Sequence, residues 1–123
     1  MSSKRVWVLR HQSWEGMRLL LVTPELALAQ QYALEDLQRR GPGSYAIEIQ
    51  KPGEWRYTHV SVVLDAATIA EMIGRLRWTH ENYGPHHWAL RVPERDREAY
   101  PTWSGVVGDY KIDAVEYREG AEA

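Results

Sequence analysis

The chain contains no cysteine. That absence excludes disulfide staples, thiolate metal sites and a cysteine nucleophile together. Phenylalanine is also missing, whereas tryptophan occurs six times and tyrosine seven. Both retained ring types carry a polar tip that seeks water or a partner, so they are the aromatics expected near surfaces and interfaces. No apolar run approaches the ~20 residues that a membrane-crossing helix needs. Lys4-Arg5 is followed by only a short apolar stretch, so no secretory leader is read and the default compartment is the cytoplasm. A strong charge of one sign is lacking too. Fifteen Lys and Arg against seventeen Asp and Glu leave a formal −2, which argues against a general nucleic-acid binder.

What is present is an ordinary globular mixture, 44% hydrophobic and 26% charged over 123 residues, which suits one α+β domain spanning 1–123 with a single core. Within it runs a faint internal echo. Gly41-Pro42 and Gly84-Pro85 each follow an amphipathic helical stretch and lead into a short strand, at residues 45–49 and 88–92. The same offset of 43 positions (41 to 84) pairs Leu19 with Val62, Leu21 with Leu64 and Leu26 with Ile69.

Residues 4–11 alternate as a strand, and 17–22 form a second strand behind a tight connection. Thr23-Pro24 opens a helix whose stripe is Leu26, Ala29, Ala33 and Leu37. Residues 45–49 and 55–64 read as strands. Asp65 caps a second helix facing the core through Ile69, Met72, Ile73 and Leu76, with Trp78 half a turn away from that stripe. Residues 93–100 form a charged short helix or loop, 101–108 are turn-rich, and 110–117 form a last strand.

Two β-α-β units in tandem give βαββαβ, the ferredoxin-like order, with two helices on one face of an antiparallel sheet. An N-terminal strand and a C-terminal extension are added to that core. The leading hairpin competes with this arrangement, because it claims one side of strand 17–22. Aligning the repeats sets Met17, Leu19 and Leu21 toward the helices. Arg18, Leu20, Val22, Trp55, Tyr57, His59, Ser61, Val63, His87 and Arg91 then lie on the open face, and Trp7 and Leu9 join them if Val6 and Val8 point inward. Such a face is too apolar to stand bare in a monomer.

Candidate chemistry is sparse. His80, Glu81, His86 and His87 invite a metal reading, but their spacing matches no compact ligand motif and the segment coincides with a helix stop, so no metal or other cofactor is assigned. His59, between Tyr57 and Ser61, is the leading acid–base candidate, although no orienting carboxylate can be named for it and no catalytic residue is assigned. Trp7, Trp55 and Tyr57 with Arg18 and Arg91 would suit base stacking, but no RNP signature accompanies them. Ser61, His59 and Asp65 lack a nucleophile-elbow context.

The expectation is therefore a small non-catalytic interaction or regulatory protein. It works through an aromatic-rich protein-binding surface carrying Trp7, Trp55, Tyr57, His59 and Trp78, as an inhibitor of a larger bacterial assembly or as a homodimer. The alternatives are a ligand-binding dimer or cofactor-free enzyme with its pocket on the open sheet, and single-stranded nucleic-acid binding on the same face.

Overall fold

The computed structural model describes residues 3–13, 15–50, 53–81 and 86–118. In chain order the elements are β1 (Ser3–Ser13), β2 (Gly16–Thr23), α1 (Leu26–Arg40), β3 (Gly43–Gln50), β4 (Tyr57–Leu64) and α2 (Ala66–Arg75). They continue with β5 (Arg77–His80), β6 (His87–Arg91), α3 (Glu94–Ala99), α4 (Trp103–Val107) and β7 (Asp109–Arg118). The protein is mixed α+β, and its strands pair antiparallel.

The ferredoxin-like strand order is not formed. Five strands make one sheet in the order β2-β1-β7-β6-β5, while β3 and β4 pair only with each other. The leading hairpin keeps β1 against β2, and the last strand, β7, takes the other side of β1 from Ser3↔Arg118 to Gln12↔Asp109. The strands of the sequence echo are thereby divided between two sheets. Gly84 and Pro85 lie outside the described residues, together with Asn82 and Tyr83.

The faces of β1 follow from its partners. Leu9 pairs with Ile112 and His11 with Tyr110, and all four are buried. Trp7, on the same face, packs against that core, so Trp7 and Leu9 point toward the helices and not to the open face. In β2 a bulge intervenes: Leu9 pairs with Leu21 but Arg10 pairs with Leu19, leaving Leu20 as the extra residue. A bulge reverses the side-chain alternation on either side of it. Leu21 therefore faces inward as expected, whereas Met17 and Leu19 turn outward, 60% and 67% exposed.

α1 begins after Glu25, two residues later than expected, and Thr23 ends β2 with its Oγ1 accepting the Glu25 N–H at 3.2 Å. The stripe at Ala29, Ala33 and Leu37 is fully buried, and Gly41 ends the helix at φ 65°. Asp65 caps α2, its carboxylate accepting from the Thr68 N–H at 2.8 Å. α2 stops at Arg75, so Trp78 belongs to β5, where β-branched and aromatic side chains suit a strand. The β3–β4 hairpin folds onto α4 because Gly105 lacks a side chain: a Cβ there would sit 3.0 Å from that of Ile47. One hydrophobic core runs through Leu9, Leu37, Ile47, Met72, Val92, Val106 and Ile112, and so draws on both sheets. Each such side chain contributes about 1.5–3 kcal/mol on leaving water.

Candidate functional site

A largely buried polar constellation lies where α1 meets β1, β2 and β7. Asp36 stands one residue before Leu37 on the buried stripe of α1 and is itself buried. The Tyr110 hydroxyl donates to its Oδ2 at 2.7 Å and Arg18 Nη2 donates at 3.1 Å. Arg18 also donates to His11 Nδ1 at 3.1 Å, which fixes that nitrogen as an acceptor. His11 Nε2 then carries the proton and donates to the Val107 carbonyl at 2.9 Å. Arg40 bonds the Val106 carbonyl at 2.7 Å and the Tyr110 oxygen at 3.3 Å.

Electrostatics follow from that packing. Burial holds the His11 imidazolium below its ordinary value of 6.5, and the nearby Arg40 and Arg18 act in the same direction against the Val107 hydrogen bond and Asp36. Burial and the hydrogen bond to Asp36 push the Tyr110 phenol well above its usual range. The cluster joins α1 to β1, β2 and β7 through side chains from all four elements.

It makes a pH prediction. With the folded pKa depressed, the unfolded chain takes up a proton that the folded imidazole resists. Stability is level above about pH 6.5 and falls as pH drops from there toward the folded value. Denaturation midpoints measured from about pH 8 to pH 5 should show the decline, and His11→Gln, which cannot titrate, should flatten it. An unchanged slope in the variant would assign the decline to other groups.

A second locus is the free edge of the five-stranded sheet at β2. Val22 is 52% exposed beside Met17 and Leu19, and Leu28 on the neighbouring helix is 47% exposed. Between strand and helix lies a groove of about 370 Å³ floored by Leu21, Val22, Leu28 and Tyr32. Among the described residues Glu35 is the charged one on its wall, and Gln31 donates to that carboxylate at 3.0 Å.

The aromatics expected to share one surface are dispersed. Trp7 and Trp78 are half-buried against the core. Trp55, 80% exposed under the Arg56 guanidinium, and Tyr57 lie at the far end of the β3–β4 hairpin. His59, exposed on that hairpin, bonds Glu48 Oε1 at 2.8 Å across its register partner, so a carboxylate does accompany it. Tyr57 and Glu48 border a cleft of about 350 Å³ against Ser13, Ser104 and Asp109.

His87 sits in the other sheet and not near His59. Its Nδ1 bonds Asp113 at 2.6 Å, and Arg10 bonds the other oxygen of that carboxylate. His80 packs against Trp88 at a tilt of 40°, with ring centroids 3.7 Å apart. Arg18 points to Asp36 and Arg91 to Glu81, so neither joins a stacking platform with Trp7, Trp55 and Tyr57. Among the described residues no group of three or more His, Asp or Glu side chains is placed to hold a metal ion, and no helix is long and apolar enough to cross a membrane.

Sequence reasoning missed Asp36 and the β2 edge. Asp36 was discoverable from its spacing, since 29, 33, 36 and 37 fall on one helical face. The β2 edge was hidden by the bulge. No protein-family model, no curated protein and no solved structure matches this chain.

Proposed function

We propose that the chain is a non-catalytic interaction protein that holds an extended segment of a partner protein along the β2 edge, with the segment's side chains entering the groove beside α1. The observation that carries it is the coincidence of an unpaired strand edge with exposed Met17, Leu19, Val22 and Leu28. Free edges usually carry charge or proline as protection. β2 has a single charged residue, Arg18, and its head is turned inward to Asp36 and His11. An edge strand beside a helix is the geometry of strand addition, in which the backbone ladder gives affinity and alternate side chains give specificity.

The occupant is a foreign strand and not a second copy. A twofold axis through the middle of β2 would set two Leu20 bulges against each other and interrupt the ladder there, whereas a foreign strand can be matched to one bulge. Glu35 selects for a basic residue in an otherwise alternating apolar segment. Seizing a strand of a larger protein is how a chain of this size would regulate or inhibit it.

Selection from a displayed random-peptide library should enrich such segments. Amide hydrogen exchange along 16–23 should slow when a selected peptide binds. Val22→Lys and Leu28→Glu should each weaken that peptide at least about tenfold, about 1.4 kcal/mol, with little change in melting temperature. Protection mapping to another surface, or a concentration-dependent dimer dispersed by Val22→Lys, would overturn the assignment.

A further inference from the structure

The opposite edge of the same sheet sets two like charges face to face. In the β5–β6 ladder Arg77 and Arg91 stand directly opposite each other, and opposed residues share one face of a sheet. Like charges in that position are unfavourable, and arginine does not relieve the repulsion by losing its proton. Arg97, from α3, completes a cleft of about 430 Å³ between β5, β6 and that helix.

The three guanidiniums are held differently. Arg91 is braced from outside the cleft by Glu81 at 3.0 Å and Asp109 at 3.5 Å. Arg77 Nη1 is braced by the carbonyls of Leu76 at 2.8 Å and Gly74 at 3.3 Å. Among the described residues neither Arg77 nor Arg97 bonds a carboxylate. Buried Val92 and half-buried Pro93 give the cleft an apolar wall, and Thr79 adds a hydroxyl. Among the described residues Glu94 is the one carboxylate that lines it.

From this we infer that the cleft is a binding site for a small phosphate ester. Braced guanidiniums present paired N–H donors in a planar fork that matches phosphate oxygens. A dianion between Arg77 and Arg91 turns their mutual repulsion into attraction. The volume falls within the ~300–1,000 Å³ usual for small-ligand sites, and the Val92–Pro93 wall takes the uncharged body of the ester. Glu94 favours a single compact phosphate over a polyanionic strand, because successive phosphates would be driven past its carboxylate. The formal −2 of the chain acts the same way.

The test is an NMR titration of the arginine Nε–H resonances with inorganic phosphate and with glycerol 3-phosphate, against chloride at matched ionic strength. Saturable shifts confined to Arg77, Arg91 and Arg97 are expected, with the ester binding more tightly than the inorganic ion. Arg97→Ala should weaken binding about tenfold, and Arg97→Lys, which keeps the charge but loses the fork, should fall between. Arg97 is the clean position, since Arg77 also closes the end of α2. Glu94→Gln should strengthen binding.

Three results would overturn the inference: shifts that chloride reproduces, titrations that do not saturate by about 20 mM in the range where millimolar affinity is measurable, or affinity unmoved by Arg97→Ala. Tighter binding of a single-stranded oligonucleotide with steep salt dependence would overturn it in favour of nucleic acid. Val22→Lys should leave phosphate binding unchanged, so the β2 edge and this cleft stand or fall separately.

Discussion

Replacing Asp36 by Ala should destabilise the fold by about 3 kcal/mol, at the lower end of the cost of breaking a buried charge pair. Asp36 Oδ2 is the acceptor for both the Tyr110 hydroxyl and Arg18, and its Oδ1 lies 3.8 Å from Arg39. Truncation strands the Tyr110 proton inside the core, where the residue is 0% exposed and Arg40 already donates to the phenol oxygen. An unsatisfied buried donor alone costs about 1–3 kcal/mol. Arg18 is half exposed and regains water, which keeps the total from rising higher. For a chain of this size the change corresponds to a drop in melting temperature of roughly 10 °C.

Asp36→Asn keeps an acceptor for Tyr110 and loses the charge, so about half the effect is expected. Arg18→Met should cost only about 1 kcal/mol, because its partner's main bond, to Tyr110, survives. Thermal denaturation of the three variants orders them. If Asp36→Ala proved no worse than Arg18→Met, the link from α1 through Tyr110 to β7 would contribute little to stability.

That link also shows why part of the fold was legible and part was not. Helix stripes are local: Ala29, Ala33 and Leu37, or Ile69 and Met72, announce their buried face by spacing alone, and the Asp65 cap is visible in the same way. Sheet membership is not local. β1 pairs with β7 across more than 90 positions, and nothing in the alternation of either strand names the other. The repeat echo predicted a shared sheet because it carried information about single strands only. β3 and β4 satisfied each other and folded onto α4 through the space left at Gly105.

The surface suffered from a single inserted residue. With Leu20 bulged, the two halves of β2 obey opposite alternations, so Met17 and Leu19, expected inside, form the exposed edge. The aromatics follow their strands in the same way. Trp7 follows the face of Leu9 into the core, and Trp78 leaves a helix that stops three residues before it. Trp55 and Tyr57 kept their exposure because they lie toward the end of the β3–β4 hairpin. Polar-tipped aromatics marked positions near the surface and did not mark one contiguous interface.

Gly108→Ala should be as damaging as the loss of Asp36, for reasons of space. Gly108 follows α4 with φ 70° and ψ −157°, a region that residues with a side chain enter at a cost of about 1–3 kcal/mol. Its Cβ would also sit 2.6 Å from His11 Nε2 and 3.0 Å from the Gln12 carbonyl oxygen. The ring cannot yield without giving up the Val107 carbonyl on one side and Arg18 on the other. Overpacking of this kind adds about 1–3 kcal/mol, for a total of about 2–6. Gly16 provides the control. Its φ of 135° is equally unsuited to a side chain, but a Cβ there meets nothing within 4 Å, so Gly16→Ala should show the backbone cost alone. A double-mutant cycle separates the terms: in a His11→Ala background the cost of Gly108→Ala should fall toward that of Gly16→Ala, with a coupling energy of about 1–2 kcal/mol. Coupling near zero would mean that the backbone, and not the imidazole, enforces glycine at this position, and that His11 is held by its hydrogen bonds without being wedged from below.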